Sequence, residues 1–208
     1  MYKLKKKLKY DDLITIMFMI LLVITYGWDA IARSGIKGPR ILLIILTLIF
    51  ARIVFKNTFL RKSRAAYVVT MAFIFASMYL ANVFDFYGFP HYDKILHLAS
   101  GVILAVFGFL IYIYLGNNQI HKEMRPAAMI FFSLVFTIAA AGVWEIWEFS
   151  TDQIFGLTAQ MNSLHDTMWD IICGTIGGLI MNIPIAMYSK GRQIRLLSKI
   201  VEEMTSEE

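Results

Sequence analysis

A single cysteine, Cys173, excludes an intramolecular disulfide and any paired-cysteine metal site. Charge is scarce as well. Only 17% of the 208 residues are charged while 58% are hydrophobic, too little polar surface to clothe a soluble domain of this length. No His-Glu-x-x-His stretch occurs, which excludes the commonest helical zinc signature, and no nucleic-acid motif is present. No internal repeat is visible, so one pointer to a transporter built from duplicated halves is missing.

What the chain has instead is long apolar runs. Stretches long enough to cross roughly 30 Å of hydrocarbon as helix fall at about 13–32, 41–56, 65–84, 95–115, 126–148 and 167–188. The second is short and carries Arg52. With short connections between them, these spans predict an all-α, polytopic membrane bundle, one transmembrane domain over 1–208 with no separate soluble part. A basic start, an apolar run and Ala30-Ile31-Ala32 also have the outline of a cleavable signal peptide. The long run and the neighbouring Asp29 favour a retained first span.

Orientation follows from the cations, because Lys and Arg collect in cytoplasmic loops. One side receives Lys3, Lys5, Lys6, Lys7 and Lys9, then Lys56, Arg61, Lys62 and Arg64, then Lys122 and Arg125, and finally Lys190, Arg192, Arg195 and Lys199. The other receives only Arg33, Lys37, Arg40 and Lys94. Both termini are therefore expected inside, and the net charge of +5 would meet anionic lipid headgroups. The acids are distributed the other way: Asp29, Asp85, Asp93, Glu145, Glu148, Asp152, Asp166 and Asp170 fall on the outer side, with His91, His97 and His165.

Spacing groups these residues. Asp93 and His97 are four apart, Glu145, Glu148 and Asp152 follow three and four, and Asp166 and Asp170 are again four apart, so each set lies on one helical face. On the fourth span the stripe continues as Gly101, Ala105 and Gly108, and on the sixth as Gly174, Gly177 and Gly178, small residues that let membrane helices approach. Part of the pattern has an ordinary explanation. Asp93 and Asp166 stand where a carboxylate caps a helix start; Trp144 and Trp147 suit an interfacial belt; His91 fits a loop; Lys94 either snorkels to the headgroups or offsets Asp93, and Arg52 snorkels to the cytoplasmic surface; Cys173 suits a small buried position.

Glu145 and Glu148 do not fit that explanation. They end a span, where the helix dipole repels anions, and Asp170 lies a full turn inside its helix. Crowded carboxylates need protons, a cation or water. A divalent ion held by Asp93, His97, Glu148, Asp166 and Asp170 is one answer, an oxygen-rich site suited to Zn, Mn or Mg. Glu145 and Glu148 as an acid–base pair is a second. Proton carriage in a transporter is a third, and a hydrogen-bonded seam locking the last three spans is a fourth. Asp152, His165 and Lys94 complete the polar set.

The ordered segments "YDKILHLASG", "WEIWEF" and "HDTMWDIICGTIGG" resemble the YjdF-like family of bacterial membrane proteins over about residues 91–183. A looser likeness extends to VanZ-like proteins. The resemblance implies that Asp93, His97, Glu145, Glu148, Asp166 and Asp170 are the family positions. It implies no established reaction. The VanZ-like side implies an envelope role in a bacterial plasma membrane, linked to glycopeptide-antibiotic tolerance. Two expectations therefore stand: an enzyme acting on a lipid or lipid-linked envelope precursor at the outer boundary, and a non-enzymatic transporter or envelope accessory factor using the same residues.

Overall fold

The computed structural model describes residues 9–116, 125–156, 158–161 and 163–205. Lys3, Lys5, Lys6, Lys7 and Lys122, which enter the charge asymmetry above, lie outside them. Among the described residues the chain forms helices and no strand. Six helices are long and apolar enough to cross a membrane: α1 (Tyr10–Ala32), α2 (Gly38–Asn57), α3 (Arg64–Ile74, continued to Val83 in a wider π-type winding), α4 (Tyr92–Leu115), α5 (Pro126–Phe155) and α6 (Leu164–Ser189). A shorter helix, α7 (Arg195–Thr205), follows.

Two elements depart from expectation. The fifth helix runs on past Glu148 to Phe155, because nothing breaks it before Gly156, whose φ of 65° closes the helix with its N–H on the Asp152 carbonyl at 3.0 Å. The segment expected as part of a basic tail forms α7: Leu197, Ile200, Val201 and Met204 make an apolar face at helical spacing, and that face is buried.

Contacts gather in two units, Met1–Phe86 and Tyr87–Glu208, a finer division than the single bundle read from sequence. In the first, α1 and α3 run parallel. Thr15 and Thr25, ten residues apart on α1, meet the hydroxyls of Tyr67 and Tyr79 at 2.8 Å each. Asp29, 1% exposed, ties off the α1–α2 turn by accepting the Lys37 N–H at 2.9 Å. The Lys37 ammonium bonds to Asp85 and holds that carboxyl below the usual range. Arg52, expected to snorkel, instead grips Asp11 at 2.8 Å and Asp12, with its guanidinium 4.7 Å from the Tyr67 ring centre. Two carboxylates in the first turn of α1 offer it better partners than open headgroups do.

In the second unit α4 and α6 are parallel and α5 is antiparallel to both. The contacts Gly101 to Gly174 and Phe109 to Tyr188 advance together along α4 and α6. Gly178 meets Thr137 and Gly174 meets Ala141, so α5 and α6 advance oppositely. The glycines set the spacing. A Cβ on Gly101 would lie 1.9 Å from the Gly174 carbonyl oxygen, and one on Gly177 would lie 2.0 Å from that of Leu98, so no side chain fits between these backbones.

Polar side chains are buried inside the second unit as well. Ser133 and Thr137 are fully buried on α5, and Ser133 donates to the Ala105 carbonyl across the α4–α5 contact at 2.8 Å, a bond worth about 0.6 kcal/mol between membrane helices. Val23, Phe50, Phe131, Val143, Ile146 and Ile183 point outward, each more than half exposed. Apolar side chains on the outside of apolar helices suit lipid as solvent.

Candidate functional site

Parallel α4 and α6 with antiparallel α5 bring two helix starts and the C-terminal half of α5 to the same place. The α4 start contributes Asp93, Lys94 and His97, and the α6 start Asp166 and Asp170. Glu145 and Glu148 come from α5, about two to three turns before its end at Phe155 and not at the helix terminus read from sequence. The Gly101–Gly174 contact, about one turn below, holds the two starts in register.

Lys94 is the hub. Its Nζ donates to Asp93 at 3.0 Å, Asp166 at 2.6 Å and Asp170 at 2.7 Å. Headgroup snorkelling is therefore replaced by three ion pairs; the offset of Asp93 is kept. Asp170 is 2% exposed, and its Oδ1 faces both Lys94 and His97. His97 Nε2 stands 3.5 Å from that oxygen and 3.6 Å from Asp93 Oδ1, slightly long for direct hydrogen bonds. Asp93, His97 and Asp170 can each turn one ligand atom into a cluster in which all three lie within 4.8 Å of one another.

Glu145 is 5% exposed. Its Oε2 accepts from Gln160 Nε2 at 3.4 Å, while Oε1 is buried without a hydrogen-bond partner among the described residues. Its charge is close enough to His97 and Asp166 to interact with both. Glu148, half-buried one turn on, accepts from Trp144 Nε1 at 2.8 Å. That bond occupies the polar edge of Trp144, and the residue is 52% exposed, as a belt residue would be.

Several sequence-level assignments need correction. Asp93 and Asp166 do not cap their helices. Ser163 caps α6 through its Oγ and the Asp166 N–H at 3.2 Å, and His91, exposed as expected of a loop residue, starts α4 in a left-handed conformation without a side-chain cap. Both carboxylates are drawn to Lys94 instead. Asp166 and Glu148 stand outside the three-residue cluster, the first engaged by Lys94 and the second by Trp144. Asp152 accepts the backbone N–H groups of Ala159 and Gln160 at 2.8 and 3.0 Å, and so fixes the turn from which Gln160 reaches Glu145. His165 is exposed on the far side of α6 and accepts from Trp169 Nε1 at 3.0 Å, away from the cluster.

Two contributors escape a reading by spacing. Gln160 reaches Glu145 only because Asp152 folds the turn back. Tyr87, just before α4, is half exposed as a residue, yet partial burial and the carboxylates of Asp93 and Glu148 push its phenol up to about 12. It stays a neutral hydroxyl donor beside the acids. A third feature was legible: Ser133, Thr137, Ala141 and Glu145 recur every four residues and form the buried face of α5.

Six helices long and apolar enough to cross a membrane among the described residues define a multi-pass integral membrane protein, and three of them, α4, α5 and α6, carry the charged cluster. Residues 13–191 match the family described as predicted membrane protein (DUF2238), and the chain belongs to it. No curated protein and no solved structure matches the chain.

Proposed function

We propose that this end of the second unit binds one divalent cation through Asp93, His97 and Asp170 and acts on a phosphate-bearing headgroup of a lipid or lipid-linked envelope precursor. The observation that carries the reading is the convergence of those three donors within 4.8 Å. The partnerless, buried Glu145 oxygen supports it. Five carboxylates face one lysine and one histidine, so a cation there relieves a surplus of negative charge. Two carboxylates and an imidazole suit Zn, Mn or Mg.

Glu145 and Glu148 then act as proton acceptor and donor. A water oxygen bonds to phosphorus as its proton passes to Glu145, the phosphorus–oxygen ester bond breaks, and the departing alcohol oxygen takes a proton from Glu148. Transfer of the proton from Glu145 to Glu148 restores the start. Tyr87 offers its hydroxyl to a phosphate oxygen. The cation asymmetry supports cytoplasmic termini, and with them a position of this end at the outer leaflet of a bacterial plasma membrane. The likeness to YjdF-like and VanZ-like proteins supports an envelope setting.

A second reading keeps the residues without the chemistry. Two of the three bonds of Lys94, to Asp166 and Asp170, already tie α4 to α6, which suits a locked bundle or a proton-carrying transporter or envelope accessory factor. Elemental analysis of the purified protein separates them. We expect close to one divalent ion per chain, lost in His97→Ala and Asp170→Asn and retained in the exposed-site control His165→Ala. Wild-type protein that carries no ion and gains no stability from added Zn, Mn or Mg would remove the metal reading.

A further inference from the structure

The first unit carries a site of the opposite charge. α1 begins, α2 ends and α3 begins at one end of this unit, and a cavity of about 310 Å³ lies among them. That volume is at the small end of ligand pockets. Five of its lining residues are cationic and two are acidic.

The two acids are already committed. Arg52 bonds to Asp11 and Asp12, and Arg64 Nε approaches Asp11 at 3.9 Å. This leaves Lys9, Lys56 and Arg61, all exposed, with no carboxylate within ion-pair distance among the described residues. The starts of α1 and α3 add the positive ends of two helix dipoles. The α1 start has no side-chain cap. Arg52, stacked on Tyr67 and held by two carboxylates, forms a rigid wall.

A second, apolar cavity of about 640 Å³ lies along the same two helices. On α1 the helical steps from Asp11 lead to Ile14, Phe18 and Leu21; on α3 those from Arg64 lead to Val68, Met71 and Phe75. Because α1 and α3 are parallel, the apolar groove extends from the cationic end along the spans.

We propose that the first unit binds one anionic phospholipid, its phosphodiester among Lys9, Lys56 and Arg61 and an acyl chain in the groove between α1 and α3. Charge complementarity selects the headgroup, and a cationic pocket at the ends of membrane spans lies at the depth where phosphodiesters sit. Inorganic phosphate would satisfy the cations but leave the groove unused. Nothing in this site depends on the chemistry of the second unit.

The full chain, delipidated in a neutral detergent, would be titrated with phosphatidylglycerol, with phosphatidylcholine of the same acyl chains, and with inorganic phosphate. Binding would be read by native mass spectrometry and by the unfolding midpoint. Phosphatidylglycerol should be retained and should raise the midpoint, less so at high salt. Phosphatidylcholine and phosphate should do neither at equal concentration. Lys56→Gln with Arg61→Gln should weaken retention roughly tenfold or more, while helicity and the lipid-free midpoint stay as in the wild type. Lys9→Glu provides a second variant with the same expectation if the double variant misfolds. Equal retention of the two lipids, or retention unchanged in both variants, would overturn the proposal. Stabilisation by phosphate alone equal to that by phosphatidylglycerol would overturn the lipid assignment.

Discussion

At the scale of single residues, Lys94 decides how the second unit tolerates its acids. Three carboxylates converge on one ammonium, and the most buried of them, Asp170, has a side chain only 3% exposed. Lys94→Met keeps the length and apolar stem but removes the only lysine in the cluster. The carboxylates are then left to repel one another. We expect a loss of about 2 kcal/mol or more, seen as a fall of roughly 5 °C in the unfolding midpoint in detergent. Added Mn or Mg should recover part of that loss if the cluster is a cation site. A variant as stable as the wild type without any divalent ion would show that Lys94 does not balance the acids. In sequence Lys94 read as a snorkelling cation or as a partner of Asp93. Its bonds to Asp166 and Asp170 span more than seventy positions, and no local pattern carries such a pairing.

At the scale of elements, helix contact and charge chemistry can be separated. Gly101→Ala places a methyl group 1.9 Å from the Gly174 carbonyl oxygen, so α4 and α6 must part. A cost of about 2 kcal/mol or more is expected. Gly142→Ala on α5 is the control: no atom lies within 4 Å of its added Cβ, and the better helix former should leave stability unchanged or raise it by up to ~1 kcal/mol. Glu145→Gln keeps the shape and the Gln160 contact while removing charge from a buried oxygen that has no hydrogen-bond partner. Its midpoint should stay level or rise, with loss of whatever function complements a deletion strain. Collapse of Glu145→Gln to the level of Gly101→Ala would make the acids structural. The small-residue stripes were legible because glycine at helical spacing has a direct steric meaning. The length of α5 was less so, since its final turns are too polar to register as span.

At the scale of the whole molecule, orientation is open to a labelling experiment. In a Cys173→Ser background, a cysteine at Ala159 should react with an impermeant thiol reagent on intact cells. One at Arg125 should react only after lysis. The reverse result would move the acidic end to the cytoplasm and exclude an outer-leaflet substrate. The sequence by itself determined that this is a multi-pass helical membrane protein, because apolar length and scarce charge leave the backbone no other way to satisfy its hydrogen bonds in lipid. It also marked Asp93, His97, Glu145, Glu148, Asp166 and Asp170 as candidates, since ionisable side chains at a span boundary are costly unless something requires them. Tertiary structure alone decided which of these meet. It joined Asp93, His97 and Asp170, turned His165 outward and assigned Asp152 to a turn. It also paired Arg52 with Asp11 and Asp12 and left the neighbouring cations exposed around a cavity. Helical period fixes the face of its own helix on which a residue lies, whereas the facing helix, its direction and its depth are set by close packing between distant segments.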